Sequence, residues 1–69
     1  MDIYAKKGTK VRFNGCDESQ WKYGGHDDPT GLLEVGKEYT VDHTVVHDFN
    51  TQVFLEEFPD KDFNVVCFD

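Results

Sequence analysis

Residues 36–58, GKEYTVDHTVVHDFNTQVFLEEF, decide the fold. The apolar positions that share one parity in this stretch are Tyr39, Val41, Val45, Val53 and Leu55. Alternation with a period of two residues is typical of strands that bury one face. Between the two alternating arms, Asp48 and Asn50 are residues that tolerate turn geometry and bond their own backbone. The stretch therefore predicts a β-hairpin with one face in the core.

The residues before the hairpin predict one short strand and one long loop. Residues 8–13 alternate, so Val11 and Phe13 should point inward, and the Asn-Gly pair at 14–15 suits a chain reversal. Residues 16–32 have no sustained period and contain several glycines, which predicts a loop with one helical turn around residues 19–23. Loops of this length in compact domains are often functional. Leu33 and Val35 should close the core beneath this loop.

The residues after the hairpin predict a turn and a last strand. Residues 58–62, FPDKD, favour a tight reversal, and residues 63–68, FNVVCF, are rich in β-formers, with Val66 and Phe68 pointing inward. Successive reversals predict an antiparallel sheet, and curling would protect its edges. The sequence therefore predicts a single all-β domain over residues 1–69. We expect a small, partly open barrel of four to five strands, with the long loop after strand 1, and this layout resembles that of SH3-like barrels.

Composition narrows the class of protein. The chain has 14 acidic and 7 basic residues, so its formal net charge is −7 at pH 7. Proteins that bind nucleic acid need clustered cations, so we expect no direct nucleic-acid binding. No apolar stretch is long enough for a bilayer and no export signal is apparent, which predicts a cytoplasmic protein with no membrane contact. In a reducing cytosol Cys16 and Cys67 should be free thiols, with Cys67 buried.

Three segments resemble a known group of proteins. Residues 33–41 (LEVGKEYTV), 51–56 (TQVFLE) and 63–68 (FNVVCF) resemble small proteins of bacteriophages and prophages in Gram-positive bacteria. The resemblance covers roughly residues 4–68 and implies an SH3-like barrel acting as a phage accessory protein in the host cell. It implies no catalytic or ligand-binding residue. The chain lacks the paired tryptophans and the Ala-Leu-Tyr-Asp-Tyr signature of SH3 domains that bind proline-rich peptides.

Catalytic, cofactor and metal sites have little support in the sequence. Cys16 precedes Asp17 and Glu18, which disfavour a reactive thiolate. The histidines lack the ligand spacing of a zinc site, and His43 and His47 would lie about 13 Å apart along a strand. The glycine pair at 24–25 has neither the following Lys-Ser/Thr nor the strand-to-helix setting of a phosphate-binding loop. We therefore expect no enzyme activity, no cofactor and no metal.

Aromatic and acidic residues in the loop and the hairpin are the best candidates for a binding surface. The candidates for contact with a partner protein are Trp21, Tyr23, Asp27, Asp28, Asp48, Phe49 and Phe54. Aromatic anchors contribute strongly to interfaces, and the acids would select a basic partner. Trp21 could instead cap the core. The first hypothesis is a non-enzymatic protein-binding module, acting as a monomer or weak homodimer.

Two other functions are compatible with the sequence. An acidic surface can imitate the negative field of a nucleic acid and so inhibit a DNA-binding host or defence enzyme. Such a mimic requires the acids to lie in a stripe on one face. A small-molecule pocket under the long loop is the third hypothesis, but a chain of 69 residues can rarely enclose the few hundred Å³ needed.

Overall fold

The hairpin predicted at the middle of the chain is the centre of the structure. The computed structural model describes all 69 residues. Its elements are β1 (Lys10–Arg12), α1 (Glu18–Lys22), β2 (Glu38–Val46), β3 (Thr51–Leu55), β4 (Phe58–Asn64) and a 3-10 helix (Val65–Cys67). The four strands form one antiparallel sheet in the order β1-β2-β3-β4. The prediction of a small all-β, antiparallel protein is confirmed, and α1 agrees with the helical turn predicted near residues 19–23.

A bulge in β2 changes which residues of the hairpin face the core. Val41 pairs with Leu55 and Thr44 pairs with Val53, so Asp42 is the extra residue between them. An extra residue reverses the alternation beyond it. Val45 is consequently exposed, and its predicted inward position was wrong. The other four apolar positions of the hairpin are buried as predicted: Tyr39, Val41, Val53 and Leu55.

The second hairpin reverses earlier than the sequence suggested. The turn lies at Glu56 and Glu57, and Leu55 pairs directly with Phe58. The next pair joins Phe54 to Asp62, so residues 59–61 bulge out of β4 without partners in β3. The predicted reversal at residues 58–62 was therefore wrong. Pro59 lies in this bulge, where a residue without a backbone N–H costs no ladder hydrogen bond.

The end of the chain forms a 3-10 helix where the sequence predicted a strand. Val65 and Cys67 are buried, and Val66 is 61% exposed, so the inward prediction for Val66 was wrong. Asn64 caps the helix, because its side chain accepts a hydrogen bond from the Val66 N–H at 3.3 Å. Phe68 is buried as predicted and forms an isolated antiparallel bridge with Phe13. The last residues of the chain therefore run beside β1.

Cys16 and Cys67 are paired as a disulfide, with their Cα atoms 5.1 Å apart. The prediction of two free thiols was wrong, although Cys67 is buried as expected. The prediction of free thiols relied on the expected reducing cytosol, whereas the disulfide follows from the fold, which brings the two cysteines together. Because Phe13 pairs with Phe68, the start of the long loop meets the end of the chain. The bridge ties that loop to the 3-10 helix.

One apolar cluster fills the inner face of the sheet. Its members are Val11, Phe13, Leu33, Tyr39, Val41, Val53, Leu55, Phe63, Val65, Cys67 and Phe68. Phe68 stands at its centre, with ring centroids 5.5 Å from Phe13 and 6.5 Å from Phe63. Val11 and Phe13 face inward as predicted. Leu33 joins the core, but Val35 is 73% exposed, because the Lys37 N–H bonds Glu34 O and places Val35 at the tip of a turn.

Candidate functional site

The turn of the first hairpin and the 3-10 helix form an open apolar groove, which we call the Phe49 groove. Its volume is about 340 Å³. Its apolar lining is Ile3, Val46, Phe49, Val65 and Val66. Residues that are distant in sequence meet here because β4 leads directly into the 3-10 helix beside the hairpin turn. The groove is therefore a product of the tertiary fold, and only its Phe49 side belongs to the predicted surface.

The groove exposes unusually large apolar side chains. The hairpin turn is closed by a hydrogen bond from the His47 N–H to Asn50 O at 2.9 Å, and this leaves Phe49 at its tip, 99% exposed. Val66, on the opposite side of the groove, is 61% exposed. Single exposed apolar residues are ordinary, but a cluster of them around one groove marks an interaction surface. This cluster is the strongest candidate site on the molecule.

The groove contains one acidic side chain and neither Lys nor Arg. Asp48 is the one carboxylate among its lining residues, and none of the seven Lys and Arg residues contributes to it. Two of these cations form ion pairs elsewhere, Lys7 with Asp42 at 2.7 Å and Lys22 with Glu18 at 3.2 Å. A Lys or Arg of a partner would therefore meet the carboxylate of Asp48 and no competing Lys or Arg.

A chain of polar side chains runs from the groove into the interior. Gln52 Oε1 accepts from His47 Nε2 at 2.7 Å, and Gln52 Nε2 donates to Asp62 Oδ2 at 2.9 Å. The same carboxylate oxygen lies 2.9 Å from Nδ1 of His26. Because a carboxylate only accepts, that nitrogen carries the hydrogen. Two side chains, those of Gln52 and Asp62, thus connect His47 in the groove to a buried histidine under the long loop.

His26 holds the long loop against the sheet. Its side chain is fully buried, and its Nε2 atom has no hydrogen-bond partner. Gly24 approaches the ring so closely that an added Cβ would lie 2.6 Å from His26 Cδ2 and 3.6 Å from Asn50 Nδ2. The backbone at Gly24 therefore lies between the buried ring and the hairpin turn. This contact brings the loop next to the Phe49 groove.

The predicted binding residues are divided among several environments. Trp21 is half-buried in α1, and Tyr23 is exposed just beyond the end of this helix. Asp27 is half-buried, and its Oδ2 accepts from the Asp62 N–H at 2.9 Å while its own N–H donates to Asp62 O. Asp28 is exposed and bonds the Thr30 N–H at 2.9 Å. These residues lie on the long loop and outside the lining of the Phe49 groove.

The remaining three predicted residues are in or near the first hairpin. Asp48 and Phe49 line the groove. Phe54 lies on the outer face of β3, and its ring stacks on His43 with centroids 4.4 Å apart and planes 6° apart. The structure thus brings Asp48 and Phe49 together. Phe54 belongs to a separate patch on the outer face of the sheet.

A second groove lies beside the disulfide, and we call it the Cys16 groove. Its volume is about 360 Å³, and its lining includes Phe13, Cys16, Pro29, Leu33 and Val35. No lining residue is ionised. The groove forms between the end of β1 and the second half of the long loop. Its position near the loop follows the predicted region, but none of the seven predicted binding residues lines it.

The acidic side chains are used in different ways. Hydrogen bonds from Lys7 and then from His43 lower the pKa of the Asp42 carboxyl group. Asp27 and Asp62 are engaged in the contact between the loop and β4, as described above.

No group of three His, Cys, Asp or Glu side chains is arranged to hold a metal ion. No helix combines the length and the apolar character that crossing a membrane requires.

Comparisons with protein-family models, with curated proteins and with solved structures found no match to this chain. The function is therefore inferred from the geometry of the site.

Sequence reasoning missed two parts of the site. Val66 was expected in the core, and the clue to its exposure is Asn64, whose side chain favours the start of a helix. The burial of His26 was not predicted, and the sequence around it gives no sign of it, because its partner Asp62 is 36 residues away. The close approach of Gly24 to the ring is the one local feature that accompanies it.

Proposed function

We propose that this chain is a non-enzymatic protein-binding module that docks a basic segment of a partner protein in the Phe49 groove. The occupant carries an apolar side chain that packs between Phe49 and Val66, and a Lys or Arg that pairs with Asp48. The single observation that carries the proposal is the 99% exposure of Phe49 in a groove shared with the exposed Val66.

The apolar contact in this proposal is expected because exposing an aromatic ring to water costs free energy. Water-exposed aromatic and branched side chains contribute free energy when a partner covers them, about 25 cal/mol per Å² of apolar surface. A rigid aromatic side chain at the centre of a small patch is a common hot spot, because it loses little rotamer freedom on binding. Phe49 has no other partner in the structure that would explain its position at the tip of the turn.

The charge part of the proposal follows from complementarity. The chain has a net charge of −7, and the groove contains one carboxylate and neither Lys nor Arg. Complementary charges accelerate association and exclude partners of the wrong sign. A basic segment is therefore favoured over an acidic one. Tyr23 is exposed and precedes Gly24, which lies beside Asn50 of the groove, so it is available to extend the contact.

We also propose that the sheet is an SH3-like barrel. The order of strand, long loop, two hairpins, 3-10 helix and final extended residue supports this assignment. The bridge between Phe13 and Phe68 supports it further, because it links the end of the chain to β1. A role as an accessory protein of a phage or prophage, acting in the host cytoplasm, rests on the sequence resemblance alone.

The alternative function is inhibition of a DNA-binding enzyme through imitation of nucleic acid. It has less support, because the Asp27 carboxylate bonds the backbone, that of Asp62 bonds His26 and Gln52, and Asp42 pairs with Lys7. These acids are partly neutralised or turned inward. A mimic would depend on ionic strength and on the remaining acids, and it would not need Phe49.

Capture experiments with matched variants test the proposal. The bead-bound protein is incubated with lysate of a Gram-positive bacterium, and captured proteins are identified and their binding segments mapped by crosslinking. Phe49→Ala should reduce capture by about tenfold or more, as expected for a hot-spot aromatic residue. Val66→Ala should reduce it less. Val35→Ala is the matched control, because it truncates an equally exposed valine outside this groove, and it should have no effect.

Melting temperatures of the three variants should stay close to that of the unchanged protein, since all three side chains are exposed. Capture that is insensitive to Phe49→Ala, or mapped partner segments that are acidic, would disprove the docking proposal. Capture that is lost in moderate salt and retained by Phe49→Ala would favour the nucleic-acid mimic.

A further inference from the structure

The two sulfur atoms of the disulfide differ in their access to solvent. Cys67 is 1% exposed and belongs to the apolar core. Cys16 is half-buried and lines the Cys16 groove, which opens to solvent beside it. A reagent that enters this groove reaches Cys16 first, whereas Cys67 is covered by the core.

Access decides how a disulfide exchanges with an external thiol. A thiolate attacks a sulfur atom that it can reach, forms a mixed disulfide with it, and expels the other sulfur as a thiolate. In this chain the reachable sulfur is that of Cys16. The leaving group is then the sulfur of Cys67, which stays in the core.

We propose that Cys16 is a site of thiol–disulfide exchange with a small external thiol that binds in the Cys16 groove. In the first step a thiolate RS⁻ bonds to Cys16 Sγ, the bond between the two cysteine sulfurs breaks, and Cys67 leaves as a thiolate. In the second step another RS⁻ attacks the R sulfur of the mixed disulfide and releases Cys16 as a thiolate. The net reaction transfers two electrons from two thiols to the protein disulfide and produces RSSR.

The groove favours particular thiols. Its walls include Phe13, Pro29, Leu33 and Val35, and they offer apolar contact to a small organic group. No cation lines the groove, and the exposed acids Asp17 and Glu18 follow Cys16 directly in the chain. An anionic group on the thiol is repelled by these acids, whereas an ammonium group is attracted. Cationic and neutral small thiols should therefore react faster than anionic ones.

The site of attack can be measured directly. The oxidised protein is incubated with 2-mercaptoethanol, quenched with acid, alkylated and digested, and its peptides are analysed by mass spectrometry. The expected early product carries the mixed disulfide on Cys16 and the alkyl group on Cys67. An early mixed disulfide on Cys67 would overturn the proposal.

The concentration dependence of the rate tests whether the folded protein reacts. A rate that rises in proportion to thiol concentration is expected for attack through the open groove. A plateau at one common rate for 2-mercaptoethanol, cysteamine and 3-mercaptopropionate would overturn the proposal, because a limit that is independent of the thiol shows that the fold must open before any sulfur is reached.

A pair of charge variants tests the groove itself. Val35→Glu places a carboxylate on the wall of the Cys16 groove, and Val46→Glu places one at an exposed position outside it. At low salt, Val35→Glu should lower the ratio of the 3-mercaptopropionate rate to the cysteamine rate by about threefold, since nearby unit charges act strongly when unscreened. Both rates are normalised to thiolate concentration. Equal ratios in the two variants would overturn the assignment of the groove as the entry site.

Discussion

The two grooves have nearly the same volume, about 340 and 360 Å³, but they are built differently. The Phe49 groove is made by a turn whose tip residue contacts little of the protein, and it exposes an aromatic ring. The Cys16 groove is lined by one half of a disulfide, and Val35 is its most exposed apolar side chain. Two cavities of similar size thus suit different proposed roles, recognition in one and covalent chemistry in the other, because they leave different atoms accessible.

The two grooves are joined by one short element. The 3-10 helix, Val65–Cys67, supplies Val65 and Val66 to the Phe49 groove and the buried Cys67 to the disulfide. Anything that removes the core beneath this helix should abolish both grooves together. Changes on one side should affect one groove and leave the other intact.

The largest effect is expected for Phe63→Ala. Phe63 is 1% exposed and lies against Phe58 and Phe68. Removing a buried ring costs about 3 to 5 kcal/mol of unfolding free energy. A chain of 69 residues has roughly 3 to 10 kcal/mol in total. Denaturant unfolding followed by circular dichroism should show a protein that is largely unfolded or marginally folded, with both grooves lost. A loss below about 1 kcal/mol would contradict this packing.

The next largest effect is expected for Cys16→Ser, which removes the covalent bond and leaves Cys67 in the core. The bridge spans 51 residues of sequence, so its loss should cost about 2 to 4 kcal/mol. Urea unfolding of this variant should match that of the reduced, unmodified protein. If reduction leaves the unfolding midpoint of the unmodified protein unchanged, the bond does not stabilise the fold.

Gly24→Ala should destabilise the contact between the long loop and His26, next to the Phe49 groove. The new Cβ would lie within 2.7 Å of two atoms of the His26 ring and would force that ring away from Asp62. Overpacking of this kind costs about 1 to 2 kcal/mol. In a His26→Ala background the same change should cost little, because the clashing ring is gone. Equal costs in both backgrounds, measured as a double-mutant cycle, would contradict the close approach.

The smallest effect concerns Glu57, which lies in the β3–β4 turn and lines neither groove. Burial raises the pKa of its carboxyl group, but hydrogen bonds from the backbone, including the Thr40 N–H at 2.9 and 3.0 Å, lower the pKa more, and the net shift is downward. A carboxyl group whose pKa is lowered in the folded state stabilises the fold fully at pH values above its ordinary pKa of 4.5. This contribution is lost as the pH falls through the folded-state pKa.

Glu57→Gln should therefore cost about 0.5 kcal/mol near neutral pH, the size of one exposed hydrogen bond. The difference from the unmodified protein should disappear in acid. Unfolding curves recorded across the acidic range measure this difference, and a gap that widens as the pH falls would show that the sign is wrong. The substitution itself should leave both grooves unchanged, so this variant gives a baseline for the others.

The parts of the fold that local pattern determines were predictable. Val53 and Leu55 are buried because strand alternation continues unbroken through β3, and Phe13 is buried because the alternation of β1 continues into the residue that follows it. Val45 could not be placed correctly, because the bulge at Asp42 is a property of strand pairing and reverses the alternation.

The parts that depend on distant contacts were not predictable. To predict the disulfide one must know that Phe68 lies beside Phe13. To predict the burial of His26 one must know that the loop covers Asp62. The site was accessible only in part. Asp48 and Phe49 follow from the turn, whereas the opposite wall with Val66 depends on the 3-10 helix, which replaces a predicted strand.

The most direct test of the docking proposal compares the two grooves in one experiment. The isotope-labelled protein is titrated with a short capped peptide that has one leucine among lysines, and with a counterpart that has glutamates in place of the lysines. If a basic segment docks in the Phe49 groove, the lysine peptide alone should shift the amide resonances of Val46, Phe49 and Val66, while those of Cys16 and Val35 stay in place. Shifts centred on the Cys16 groove, or an equal response to the glutamate peptide, would contradict it.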